Sequence, residues 1–210
     1  MRICCISDTH EMEARIDIPQ CDLLLHAGDI SMMGHPAPIL AFDRWCHSLI
    51  TQGIVRKVVL IAGNHDFLFQ DNPEKARSLI HSAAYLEDSG LEFEGLRIWG
   101  TPWQPWFYDW AFNIRTEEKL KEKFDLIPEN TDIVVAHSPP RGILDATRRG
   151  EAVGSTSLLE RINAIKPKLV VFGHIHESYG QFQRDGIIYV NASTCNFQYQ
   201  PVHPPVLIDL

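Results

Sequence analysis

The segment Lys57-Val58-Val59-Leu60-Ile61, continued by Ala62-Gly63-Asn64-His65-Asp66, carries two signals in ten residues. An apolar run rich in β-branched side chains and stopped by glycine reads as a strand covered on both faces, the kind found in parallel sheets. The residues after it place an amide, an imidazole and a carboxylate at the end of that strand. Working outward, the same pairing recurs four more times. Apolar runs at 2–6, 23–26, 132–136 and 168–172 lead into Ser7-Asp8-Thr9-His10, Gly28-Asp29, His137-Ser138 and Gly173-His174-Ile175-His176. In open α/β sheets, sites gather at the carboxyl ends of strands, so these five termini are expected to converge.

Between the runs lie helical patterns. Ile39, Phe42, Cys46 and Leu49 recur at helical spacing after Pro36 and Pro38. Asn72-Pro73 reads as an N-cap with a first-turn proline, opening a helix with Ala76, Leu79 and Ile80 on its inner face. Ser157 and Glu160 form a capping box before Ile162 and Ile165, with Pro167 ending that helix. The run 119–123 reads as a solvated helix face. Asp185-Gly186, between two alternating stretches, signals a hairpin, and 206–210 supplies a last strand. The pattern is α/β and layered, and 210 residues suit one domain, 1–210.

Composition narrows the function. Nineteen basic against 27 acidic residues give a net charge of −8, the wrong sign for a broad nucleic-acid-binding face, so no stable nucleic-acid binding is expected. No apolar run reaches the length of a membrane span, and Asp8 and His10 interrupt the only leader-like stretch. Five cysteines with no C-x-x-C pair fit buried reduced thiols and a cytoplasmic protein. The adjacent Cys4 and Cys5 should point to opposite faces of their strand.

A single aspartate after a strand is usually a turn former or a helix cap, and Asp-x-His alone is weak. Eight ligand-type residues at five successive strand ends are not explained that way. Asp8, His10, Asp29, Asn64, His137, His174 and His176 offer more donors than one tetrahedral ion takes, which suits two five- or six-coordinate ions sharing a carboxylate. Mixed oxygen and nitrogen donors without thiolate suit Mn²⁺, Fe, Zn²⁺, Co²⁺ or Ni²⁺. Paired ions of this kind clamp the oxygens of an in-line phosphoryl displacement and lower the pKa of a bridging water, giving a hydroxide nucleophile. A small phosphate ester is therefore the expected substrate.

These blocks, in this order, resemble the calcineurin-like metallophosphoesterases. The resemblance implies a four-layer α-β-β-α sandwich, with Asp8, His10 and His176 on one ion, Asn64, His137 and His174 on the other, and Asp29 between them. It implies that His65 donates a proton to the leaving oxygen or stabilises the phosphoryl oxygens, with Asp66 orienting its ring. No arginine follows Gly28-Asp29, unlike the protein phosphatases of the family. The strings at 137–141, 173–180 and 191–195 look like a smaller branch named only for containing a metallophosphoesterase domain, some of whose members are cyclic-nucleotide phosphodiesterases. A phosphodiesterase for a small phosphodiester is expected. A phosphomonoesterase, an oligonucleotide-end hydrolase and a metal-binding scaffold without turnover are the alternatives. Arg141, Trp103 and Trp106 are the candidate substrate contacts. The aromatic segment 101–113 reads more simply as a proline-rich loop packed on the sheet than as a base-stacking wall.

Overall fold

The computed structural model describes residues 1–210. Four short parallel strands, β1 (Arg2–Ile6), β2 (Cys21–His26), β3 (Val55–Leu60) and β4 (Ala84–Tyr85), form one sheet, with β13 (Val206–Asp209) antiparallel beside β1. The second sheet runs β11-β12-β10-β9-β6-β5. Its parallel centre is β6 (Leu96–Thr101), β9 (Ile133–Ala136), β10 (Leu169–Phe172) and β12 (Ile187–Asn191). The hairpin partners β5 (Ser89–Phe93) and β11 (Gly180–Arg184) close its two edges. A two-stranded ribbon, β7 (Gln104–Pro105) with β8 (Asn113–Ile114), stands apart.

Side-chain alternation sorts each strand into two cores. Ile3, Cys5, Leu25 and Val59 face Val135, Val171 and Val190 of the other sheet. Their neighbours Cys4, Leu24 and Val58 face outward onto α1 (Pro36–Thr51), through Ile39, Phe42 and Cys46. On the far side, Val134, Val170 and Tyr189 pack under α4 (Glu117–Phe124) and α5 (Thr156–Ile165) through Leu120, Phe124, Leu158 and Ile162. The result is a four-layer α-β-β-α sandwich, as expected from the resemblance. Full burial of one such aliphatic or aromatic side chain contributes about 1.5–3 kcal/mol, so each layer contact is a substantial share of marginal stability. Cys4 and Cys5 do part to opposite faces, and all five cysteines are free and buried.

Two local expectations change. Asn72 caps Lys75 N–H at 3.1 Å, but the helix it opens, α3 (Pro73–Arg77), stops before Leu79 and Ile80, which are buried in the turn beyond. The short α2 (Phe67–Asp71) precedes it. The cap of α5 is Ser155, whose hydroxyl accepts from Leu158 N–H at 3.2 Å, two residues before the box at Ser157. Ser157 instead bonds the Glu117 carboxylate, through its hydroxyl at 2.6 Å and its amide at 3.0 Å. No helix is long and apolar enough to cross a membrane.

Glu117 thus caps α5 from the neighbouring helix, accepting also from the Ser155 hydroxyl and the Thr156 amide. Burial pushes its carboxyl up, but the Ser157, Ser155 and Thr156 donors outweigh burial and hold it below the ordinary 4.5. A carboxylate depressed in the folded state adds stability above its unfolded pKa and loses it as pH falls through the folded value. Glu117→Gln should therefore lower stability at pH 7 by about 1–2 kcal/mol. In thermal melts, the gap from the parent chain should close as pH is taken from about 6 to about 3.

Candidate metal centre

The five strand ends do converge. After β1 the chain turns through Asp8 and His10, after β2 through Asp29, and after β10 through His174. All four residues adopt left-handed backbone, with φ of 52°, 45°, 59° and 67°. Each such non-glycine residue costs about 1–2 kcal/mol, and strain of this kind persists only where the surroundings hold it. Those surroundings are visible. Asp8 accepts from the His174 amide at 3.0 Å and the Ser193 hydroxyl at 2.8 Å, while Asp29 accepts from the His65 amide at 2.7 Å. Gly63 and Gly173 leave room for this. A Cβ on Gly173 would fall on Asp8 Oδ2 and Ser7 Oγ, and one on Gly63 would fall on Asp29 Oδ1.

The histidines are aimed by their outer nitrogens. His137 Nδ1 donates to Ala27 carbonyl at 2.8 Å, His176 Nδ1 to Asn196 carbonyl at 2.9 Å, and His65 Nδ1 to Met32 carbonyl at 2.8 Å. A ring that donates from Nδ1 presents a lone pair at Nε2 when neutral. His137 Nε2 then faces Asn64 Oδ1 at 2.9 Å and Asp29 Oδ2 at 3.5 Å. His176 Nε2 faces Asp8 Oδ1 at 3.3 Å and His10 Nε2 at 3.4 Å. His10 Nε2 lies 3.8 Å from Asp29 Oδ2, and its buried Nδ1 has no partner. For a neutral His137 ring, an acceptor thus points at acceptors.

Electrostatics agree. Burial pushes Asp8 up, yet the hydrogen bond and charge of His176, with His137 and His10 behind it, hold its carboxyl well below the usual range. Burial likewise works against Asp29, and the charges of His137, His65 and His10 keep it lowered. Burial carries His10 down to about 4 and His174 to about 3, against the pull of both carboxylates. His176 goes the other way: burial is outweighed by Asp8, which raises it to about 9. Two buried carboxylates therefore lie among imidazoles of which two, His10 and His174, are driven by burial toward the neutral form, so the pocket is short of positive charge. Buried charges need a partner of this sort, and a divalent cation meets the deficit. Three groups of ligand atoms, Asp8–His10–His176, His10–Asp29–His65 and Asp8–Asp29–His137, each lie within 4.8 Å of one another.

A family model described as calcineurin-like phosphoesterase matches residues 1–178. Human Metallophosphoesterase domain-containing protein 1 is 40% identical over 234 residues, covering 100% of this chain and 71% of its own length. The chain belongs to the calcineurin-like phosphoesterase family. A 3',5'-cyclic-nucleotide phosphodiesterase of Nostoc sp. is 24% identical, covering 87% of this chain and 65% of its own. A solved archaeal phosphodiesterase, 16% identical, shares the fold with a TM-score of 0.50 over 100% of this chain and 93% of its own. As a calcineurin-like phosphoesterase the chain is a metal-dependent hydrolase of phosphate esters, and the pocket short of positive charge is where metal fits.

Other expected contacts are placed differently. Asp66 does not reach the His65 ring. Its carboxylate is spent on the amides of Asp29, Ser31 and Gly63 and on the Ser31 hydroxyl, at 2.7–3.0 Å, pinning the second strand-end loop to the third. Burial and the Asp29 charge, opposed by those donors, push it up to about 6. The Met32 carbonyl holds the ring instead. Trp103 turns away from the cleft, donating Nε1 to Asp88 at 2.8 Å beneath the Lys123 ammonium. Arg141 is exposed and lines no part of the cleft. Trp106 lies in a hollow beside it. His26 is structural, its Nδ1 accepting from Gly28 N–H at 3.2 Å and its Nε2 donating to the Thr9 hydroxyl at 3.0 Å.

The cleft itself, of about 260 Å³, is walled by Phe107, Trp110, Phe197 and Tyr199 over Asp29, Asn64, His65 and His174. Trp110 lies over the His65 ring at 4.2 Å, and Tyr199 sets its edge to His10 at 4.7 Å. Neither Tyr199 nor Asn196 belongs to any strand-end motif, although both act on these histidines. Ser193 follows β12, a sixth strand that ends at the site, and the same rule extends to it.

If Gly173 exists to admit Asp8, Gly173→Ala should displace that carboxylate. Divalent-metal affinity, read by calorimetric titration, should fall at least about tenfold, with a loss of about 1–3 kcal/mol in stability for the overpacking.

Proposed function

We propose that the chain is a phosphodiesterase for small phosphodiesters, cyclic nucleotides among them. In this reading Asp8, His10 and His176 hold one divalent ion and Asn64, His137 and His174 a second, with Asp29 between them. The carrying observation is that backbone carbonyls behind His137 and His176 turn their Nε2 atoms onto two buried carboxylates, Asp29 and Asp8. Oxygen and nitrogen donors without thiolate suit Mn²⁺, Fe, Zn²⁺, Co²⁺ or Ni²⁺. When bound, such ions polarise a phosphoryl group and make water a nucleophile at neutral pH.

The chain's own residues add the rest. His65, with its Nδ1–H committed to the Met32 carbonyl, keeps Nε2 for the cleft; in its doubly protonated form it gives the Nε2 proton to the leaving oxygen and is left as the neutral ring, still bonded to Met32. Trp110 against the ring fixes its tilt and keeps water from one face. Asp66 ties together the loops that carry Asp29 and His65. No lysine or arginine lines the cleft, and Glu177 does. A monoester dianion would enter with its second charge uncompensated by side chains, whereas a diester carries only one. The buried reduced cysteines support a cytoplasmic setting.

Metal-loaded protein should hydrolyse bis(p-nitrophenyl) phosphate faster than p-nitrophenyl phosphate across a Mn²⁺, Ni²⁺ and Zn²⁺ panel. Preference for the monoester, or no turnover with any ion, overturns the reading, the latter in favour of a scaffold. His65→Ala should lower kcat about 10²–10⁴-fold with metal content retained, as for loss of an acid–base group. Asp29→Ala should release metal. A His65 variant that empties the site would make His65 a ligand, which its place beside His10 and Asp29 also permits.

A further inference from the structure

A second hollow, of about 270 Å³, adjoins the cleft across a shared wall of Phe107, His174 and Glu177, and is lined on its own side by Trp106, Val153 and Ile175. Large apolar side chains gather at the mouths of both: Trp106 is 45% exposed, Phe107 50% and Phe197 52%. Each outer ring carries a cation, Arg115 over Trp106 at 4.7 Å and Arg148 over Phe197 at 4.0 Å. Arg115 also stands 3.9 Å from Asp109, and the Arg148 amide is bonded to Glu177 at 2.7 Å. Exposed aromatic faces interleaved with arginine, on both sides of a phosphate site, are how proteins hold unpaired bases.

We infer that the second hollow receives a nucleobase and that the preferred substrate is a linear dinucleoside phosphodiester, its two bases straddling the scissile phosphate. One base stacks in the cleft near Trp110 and Tyr199, the other between Trp106 and Val153. This rests on the reading of the centre as a phosphodiesterase. A cyclic mononucleotide has one base and fills one hollow. A long strand adds phosphates that the net charge of −8 repels, so the occupant is short. Hydrolysis adds water at phosphorus, breaks the P–O bond to one nucleoside and protonates that oxygen, giving one nucleoside and one nucleoside monophosphate.

The test compares kcat/KM for adenylyl-adenosine with that for methyl p-nitrophenyl phosphate, a diester with one aromatic arm. Their ratio should exceed one in the parent chain and fall about tenfold in Trp106→Ala, the loss expected for one base–aromatic stack. It should fall further in Val153→Trp, which fills the hollow. A ratio that neither substitution moves, in protein that still turns over methyl p-nitrophenyl phosphate, overturns the inference and leaves the phosphodiesterase reading intact. If no diester is hydrolysed, that reading fails instead. Quenching of a 2-aminopurine dinucleoside by the metal-loaded protein then decides the hollow: quenching weakened about tenfold in Trp106→Ala supports it, and no quenching overturns it.

Discussion

Two carboxylates, Asp8 and Asp29, are sealed from water at the place where six parallel strands stop. Taking an ion out of water costs several kcal/mol even after the protein relaxes, and the cost is met only by opposite charge or by directed hydrogen bonds. Much of the local architecture follows from that demand. Glycines at 63 and 173 clear the space, backbone at four residues accepts left-handed geometry, and carbonyls behind the imidazoles turn their inner nitrogens toward the carboxylates. What the protein alone cannot supply is enough positive charge. The upward pull of Asp8 on the His176 imidazole reflects that deficit, and a metal ion meets it.

The fold was legible where local chemistry and long-range packing agreed. Apolar runs bounded by glycine or aspartate marked the central strands, and Asp185-Gly186 marked the hairpin, with φ of 53° and 81° at those two residues. The hairpin of β5 and β6 was equally available, since Leu91, Phe93, Leu96 and Ile98 alternate with Glu92 and Arg97 around Glu94-Gly95. Its charged outer face masks the strand signal that buried runs give so clearly. That α5 begins at Thr156 depends on Glu117 reaching over from another helix, which no local motif encodes.

The site was legible in its donors and less so in what supports them. Strand-end position picked out the seven residues proposed as ligands, and the structure gathers the loops that carry them at one end of the two sheets. The support comes from elsewhere in the chain. Asp66 sits next to His65 in sequence, yet its carboxylate faces the neighbouring loop's amides, and adjacency misleads about partnership. Tyr199 and Asn196 reach the histidines from a loop without periodicity or motif. Trp103 and Trp110, in the same aromatic segment, have opposite fates because one indole finds Asp88 and the other finds a ring.

Asp8, His10, Asp29 and Asn64 follow strands of one sheet, whereas His137, His174 and His176 follow strands of the other. The centre therefore spans the seam between two slabs whose shared interior is filled by aliphatic side chains such as Val59, Val135 and Val171, with polar links gathered at the strand ends. The aliphatic contacts are dense but have no direction, so they resist separation better than they resist sliding. The distance between the two halves of the centre is thus gauged by the thickness of hydrocarbon beneath it, and a methyl group gained or lost deep in that filling would be felt at the surface as a change in span.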